Sequence, residues 1–152
     1  MNIVLHEPEI PHNTGAIGRT CLMAGARLHL IHPFGFYLDE KSLKRSGLDY
    51  WPRLAPIEYS NLADFLSKNP NARIFLAETK GAKLYTDVEY KPKDYIIFGN
   101  ETMGLPQSLI DAHPDKIISI PMIRDERSLN LSVSVAIILY EALRQTGFSG
   151  LS

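Results

Sequence analysis

Cysteine is nearly absent from this chain of 152 residues. Cys21 stands alone, which excludes an internal disulfide and favours a reducing, cytosolic setting. No apolar stretch is long enough to span a membrane, and Met1-Asn2-Ile3-Val4 does not open a signal peptide. Neither sign of charge dominates. Sixteen Lys and Arg face seventeen Asp and Glu for a net charge of −1, so a nucleic-acid partner would have to be held by a local basic patch. Several motifs are missing too. No G-x-G-x-x-G follows the first strand, and Gly15-Ala16-Ile17-Gly18 lacks that spacing. The interval Gly99 to Gly104 has P-loop length but runs into Leu105-Pro106, and there is no G-x-S-x-G elbow. His29 and His32 form H-x-x-H in or beside a strand, where they point to different faces. With no Cys/His cluster nearby, no metal site is expected.

What remains is ordinary globular material. The length suits one domain, 1–152, with a real core, and 45% hydrophobic with 22% charged residues is an average composition. The pattern along the chain is α/β. Strands are expected at Asn2 to His6, Arg27 to Ile31, Arg73 to Ala77, Tyr95 to Phe98 and Lys116 to Ile120. Helices are expected from an Asn13 or Thr14 cap to about Ala24, with Gly25 as its terminator, and at Asp39 to Ser46, Asn61 to Lys68 and Leu131 to Gln145. Strands alternating with helices imply a mostly parallel sheet covered on both faces.

Three segments carry the chemistry. In Phe98 to Pro106, FGNETMGLP, an apolar strand stops at Gly99 and a polar turn precedes a prolyl helix start. Glycine at a strand end allows a ligand to approach the backbone closely. Ile120 to Val135, IPMIRDERSLNLSVSV, repeats the plan with a charged loop and a Ser/Asn-rich helix start. Two such loops describe a pocket at the carboxyl edge of the sheet. Asn13 to Thr20, NTGAIGRT, places Gly15 and Arg19 one helical turn apart, so a group resting over Gly15 would lie near the Arg19 guanidinium. Taken singly, these residues read equally well as caps, Glu101 as a helix-dipole carboxylate and Arg19 as a surface cation. The last helix carries Val133, Ile137, Tyr140 and Leu143 on one side and is apolar nearly all round. Such a helix is either wholly buried or packed on a second subunit, and a homodimer is the expected outcome.

Together these three motifs, in order along essentially the whole chain, resemble the signatures of the SPOUT superfamily of RNA methyltransferases, and within it the TrmH-type 2′-O-methyltransferases. NIVLHEPEIPHNTGAIGRT at the start, KSLKRSGLDYW at Lys41 to Trp51 and the lack of an extra RNA-binding domain resemble its minimal members, which act on the wobble nucleotide of tRNA. The resemblance implies a SPOUT fold with a C-terminal trefoil knot, which general topology rules would not suggest. It implies S-adenosyl-L-methionine as cofactor, contacted by Ala77, Gly99, Ile120 and Ser128, with Glu78, Thr79, Met122 and Leu129 close by. It makes Arg19 the catalytic residue, needs no metal, and implies a tRNA anticodon stem-loop as partner. With net charge near zero, that RNA is expected to be held by a basic patch of Lys41, Lys44, Arg45 and Arg53, and the protein is expected to be a cytoplasmic homodimer. Ala16 and Met103 depart from the pattern, which more often has asparagine and a basic residue there. Competing readings are a methyltransferase of another RNA site, a catalytically idle RNA-binding or assembly factor, and a nucleotide-binding α/β protein unrelated to RNA.

Overall fold

The computed structural model describes residues 1–34, 36, 41, 49–124 and 126–152. Seven strands form one sheet in the order β3-β2-β1-β6-β4-β7-β5, with all pairings between them parallel. They are β1 (Asn2–His6), β2 (Arg27–Ile31), β3 (Ile57–Tyr59), β4 (Ile74–Ala77), β5 (Lys83–Leu84), β6 (Tyr95–Phe98) and β7 (Ile117–Ser119). The described helices are α1 (Pro11–Met23), α2 (Trp51–Leu54), α3 (Leu62–Lys68), α4 (Gln107–Ala112) and α5 (Leu131–Gln145), with a 3₁₀ turn at Pro114–Lys116. The expected helix at Asp39 to Ser46 lies outside the described residues, apart from Lys41.

Central strands of a parallel sheet are covered on both faces, and all five residues of β1 are buried. Alternation along the strands sorts them into two cores. Ile3, Leu5, Leu28, Leu30, Ile96 and Phe98 pack with Ile17 and Cys21 of α1 and Val135, Ile138 and Leu139 of α5. Val4, Ile31, Leu76 and Ile97 point the other way, onto Phe65 of α3 and Leu109 of α4. The Cys21 thiol is so well buried that its pKa is pushed up to about 12, which makes it an inert core group.

Most expected elements form where the sequence places them, but the start of α1 does not. Asn13 and Thr14 lie inside the helix. It begins at Pro11, whose fixed φ suits the first helical position and whose missing N–H costs nothing there, with Ile10 as a cap residue that makes no side-chain bond. Gly25 does end it, at φ +64°. Helix α5 is not buried all round: Val135, Ile138, Leu139, Ala142 and Leu143 are buried, whereas Val133 and Tyr140 are each 45% exposed. Leu143 therefore belongs to the buried side. His29 is buried and hydrogen-bonded, Nδ1 to the Tyr59 hydroxyl at 3.0 Å and Nε2 to Asn2 Oδ1 at 3.1 Å. His32 faces Glu58 at 2.7 Å.

Candidate active site

The strand order reverses at β1. β2 and β3 extend the sheet to one side of β1, and β6 follows on the other, the kind of switch point beside which ligand crevices form at carboxyl ends. Register brings Ala77 level with Phe98 and Ile118. The chain therefore leaves β4, β6 and β7 at one edge, through Glu78, Gly99 and Ile120. There the three loops and the starts of α1 and α5 enclose a cavity of about 290 Å³, near the lower end of the range for small-molecule sites. All four of Ala77, Gly99, Ile120 and Ser128 line it, as do Glu78, Thr79, Met122 and Leu129. Among the lining residues are two carboxylates, Glu78 and Glu101, and no Lys or Arg. That lining favours a cationic ligand over an anionic one.

Gly99 is required for a reason other than ligand approach. A Cβ there would stand 2.1 Å from the Gly104 carbonyl carbon and 2.3 Å from the Leu105 nitrogen. It is the chain itself that closes over Gly99. The Gly104 N–H donates to the Asn100 carbonyl at 3.1 Å, the Met103 N–H to Asn100 Oδ1 at 2.6 Å, and the Leu105 N–H to Glu78 Oε1 at 3.0 Å. This tight turn forms one wall of the cavity.

Glu101 ties the three motifs together. Its Oε2 accepts from the Glu9 N–H at 2.8 Å, and its Oε1 from the Ile10 N–H at 3.2 Å and Asn13 Nδ2 at 3.1 Å. Asn130 Nδ2 donates to Asn13 Oδ1 at 3.0 Å, while Asn130 caps α5 by accepting from the Ser132 N–H at 2.9 Å. Glu101 is thus a helix-dipole carboxylate, but it serves α1, accepting from the N–H groups of the N-cap Ile10 and the preceding Glu9 as the acid of a capping box does for the N-cap. Sequence reading took Asn13 only as a cap. Its bonds to Glu101 and Asn130 span 88 and 117 positions, and no local signal marks such pairings.

Arg19 stands apart from this cavity. It is exposed on α1, its guanidinium 5.7 Å from the centre of the Tyr50 ring. Burial pushes the Tyr50 phenol pKa up, and the adjacent Arg19 charge draws it back down. The expectation of a substrate group over Gly15 is overturned, because Gly15 is buried with its carbonyl accepting from the Tyr50 hydroxyl. Of the candidate RNA cations, Lys41 and Arg53 are exposed, and Lys44 and Arg45 lie outside the described residues. No group of three metal-ligating side chains occurs among the described residues.

The family model of the SpoU rRNA Methylase family matches residues 1–140. This chain belongs to that family. It is 48% identical to the tRNA (cytidine(34)-2′-O)-methyltransferase of Escherichia coli strain K12, over 99% of this chain and 96% of the relative. A solved structure concerned with the 2-OH methylation of C/U34 on tRNA superposes with a TM-score of 0.88 at 40% identity, covering 96% of this chain and 95% of that one. The SpoU methyltransferase AviRb of Streptomyces viridochromogenes, solved with AdoMet, gives a TM-score of 0.81 at 26% identity, covering 96% of this chain and 60% of that one. The sheet and its flanking helices are those of the SPOUT methyltransferases.

Proposed function

We propose that this chain is an S-adenosyl-L-methionine-dependent tRNA 2′-O-methyltransferase whose acceptor is the ribose of the wobble nucleotide, cytidine or uridine, in the anticodon stem-loop. The observation that carries the reading is the carboxyl-edge cavity, formed by the three family motifs and lined by two carboxylates without a cation. When bound, the cofactor supplies an activated methyl group on a sulfonium, whose positive charge such a lining favours. Ala77, Gly99, Ile120 and Ser128 are its proposed contacts, largely through backbone. No metal enters the chemistry.

Transfer then needs orientation of the ribose hydroxyl and exclusion of water. Arg19 is the proposed catalytic residue. A guanidinium does not give up its proton in a protein and is a poor base, so Arg19 orients the hydroxyl and stabilises the developing alkoxide, with proton loss late. The reading includes one domain, the trefoil knot near the C-terminus, a cytoplasmic location and a homodimer. Among the described residues no helix is long and apolar enough to cross a membrane. The dimer is supported by the exposed apolar side chains Val133 and Tyr140 on α5 and Met23, 61% exposed, on α1.

Purified protein incubated with methyl-labelled cofactor and bulk tRNA, followed by nucleoside analysis, tests this directly. Label in a 2′-O-methylated nucleoside of the anticodon is expected. Cofactor binding with label elsewhere in RNA would move the substrate, and RNA binding without transfer would leave an idle scaffold. Arg19→Ala is expected to abolish transfer with cofactor affinity held within a few-fold, by calorimetry, since Arg19 is outside the cavity. Near-normal turnover in that variant would remove Arg19 from the mechanism.

A further inference from the structure

The edge of the sheet opposite the cavity has its own concavity. At the amino ends of the strands a groove of about 980 Å³ is lined by Arg27, Lys68, Arg73, Lys91 and Lys93, with Asp94 as its one acid. Register sets Arg27, Asn2, Tyr95 and Ile74 side by side across β2, β1, β6 and β4. At about 4.8 Å per strand that row crosses roughly 14 Å. Arg27 lies in the row, Arg73 immediately precedes Ile74, and Lys91 and Lys93 occupy the turn leading into Tyr95.

The charges are unequally compensated. Asp94 is 2% exposed, accepts from the Lys91 N–H at 2.7 Å and faces Arg73 Nε at 3.6 Å. The Arg73 guanidinium also donates to the Glu89 carbonyl, so it is fixed in place. Lys68 pairs with Asp64 at 2.9 Å. Arg27, Lys91 and Lys93 are exposed and make no ion pair within 4 Å among the described residues. In a chain of net charge −1, three uncompensated cations and one preset guanidinium along one groove concentrate positive potential there.

We infer that this groove is a second RNA-contacting surface, which takes the sugar–phosphate backbone of the tRNA away from the nucleotide that reacts. The inference rests on the tRNA reading above. Its chemistry suits phosphates over bases: lysines act as point charges toward phosphate, the Arg27 guanidinium, unpaired among the described residues, has donors to offer phosphate oxygens, and such contacts position RNA without reading sequence. A tRNA whose loop reaches the carboxyl edge extends far beyond a domain of this size, so a cationic groove elsewhere on the domain is available to its remaining phosphates.

The test is the double variant Lys91→Glu/Lys93→Glu in the full chain, both residues lying outside the cavity and in an exposed turn. Whole-tRNA affinity is measured from about 50 to 200 mM salt, a range over which phosphate contacts dominate the change. The variant is expected to show a log K against log[salt] slope shallower by about 2, one for each phosphate-contacting cation lost. Its KM for tRNA should rise at least tenfold, with cofactor affinity, melting temperature and kcat at saturating tRNA held. Lys91→Arg/Lys93→Arg should keep the wild-type slope. An unaltered slope in a glutamate variant that still methylates tRNA overturns the inference and makes the groove a solvated face. An unaltered tRNA slope with lost binding of inorganic phosphate or of an acidic protein overturns it in favour of another anion. Wild-type protein that binds tRNA with a salt slope sensitive to these lysines but transfers no methyl overturns the enzymatic reading alone.

Discussion

Replacing Glu101 by alanine takes the acceptor from three donors at once, and the structure allows the cost to be apportioned. Two are backbone N–H groups, of Glu9 and Ile10, just ahead of a helix whose own cap residue makes no side-chain bond. Loss of a helix cap costs about 0.5–2 kcal/mol, and loss of a carboxylate at a helix N-terminus about 0.3–1 kcal/mol at a surface. Both amides are open to water, which replaces part of the bonding, so roughly 1–2 kcal/mol is expected in all. For a chain of this length, about 2–4 °C of melting temperature accompanies each kcal/mol, giving a fall of about 2–8 °C by calorimetry. The third donor is Asn13 Nδ2, and without its acceptor Asn13 no longer presents a fixed Oδ1 to Asn130. Cofactor affinity should therefore fall at least tenfold, well beyond what the modest destabilisation accounts for. Glu101→Gln, which retains one carbonyl acceptor, should lie between. A variant melting within 1 °C of wild type with undiminished cofactor affinity would refute the assignment of Glu101 as the outside cap of α1.

Gly99→Ala drives a methyl into the Gly104–Leu105 peptide group, where no rotamer can relieve it; cofactor binding should be lost, and stability should fall by about 1–3 kcal/mol or more. Gly25→Ala, with nothing within 4 Å of its Cβ but a φ of +64°, should cost only about 1–2 kcal/mol and leave cofactor affinity intact by calorimetry. Burial first, then Arg27, hold the His29 pKa down at about 4 against an ordinary 6.5, so the unfolded chain binds the extra proton and stability falls as pH drops from 6.5 toward 4. At about 1.36 kcal/mol per pH unit the full loss is roughly 3 kcal/mol, read by denaturant titration at several pH values, and a weaker pH dependence of the midpoint in His29→Gln is the matching control, the buried His6 still contributing. Ile137→Asp should give monomers or unfolded protein with no activity, because an unpaired charge in an apolar interface costs several kcal/mol; wild-type protein that scatters light as a monomer at micromolar concentration would refute the dimer.

The layered α/β plan was legible because it rests on local signals. Buried parallel strands read as continuous apolar runs, and β1, β2 and β6 begin and end where those runs do. Strands β3 and β5 were missed: Ile57–Tyr59 and Lys83–Leu84 are too short for a period to appear, and most of their residues are exposed. The candidate site was legible as three loops, and the four residues proposed to contact the cofactor line one cavity. What could not be read was how the loops are fastened. Glu101 to Ile10, Asn130 to Asn13 and Leu105 to Glu78 are bonds across 27 to 117 positions. They follow from strand order, which turns on β6 inserting between β1 and β4. The same limit explains the misplaced cap of α1. Locally Asn13 and Thr14 are the better capping residues, and only the distant Glu101 makes a start at Pro11 favourable.

The position of Arg19 follows from helix geometry once Asn13 is anchored. Asn13 faces the cavity, bonded to both Glu101 and Asn130. Six residues later, at about 100° and 1.5 Å per residue, a side chain stands roughly 9 Å along the axis and about 120° round it. Arg19 is therefore carried off the cavity's side of α1 by the same bonds that fix Asn13 to it. Its guanidinium lies over Tyr50, whose hydroxyl is in turn bonded to Gly15, so no rotation of the helix alone would return it. Within one protomer, the described cavity lining holds no Lys or Arg and the Arg19 guanidinium stands outside it. In a dimer built on α1 and α5, Arg19 of one protomer would face the cavity of its partner, and each active site would take its cofactor from one chain and its cation from the other. Mixing Arg19→Ala chains with Gly99→Ala chains should then restore part of the activity, because one of the two sites in the heterodimer has both an intact cavity and an intact arginine. Confirmed heterodimers without activity would mean that each site is built within one chain, and that the RNA itself must bridge the distance.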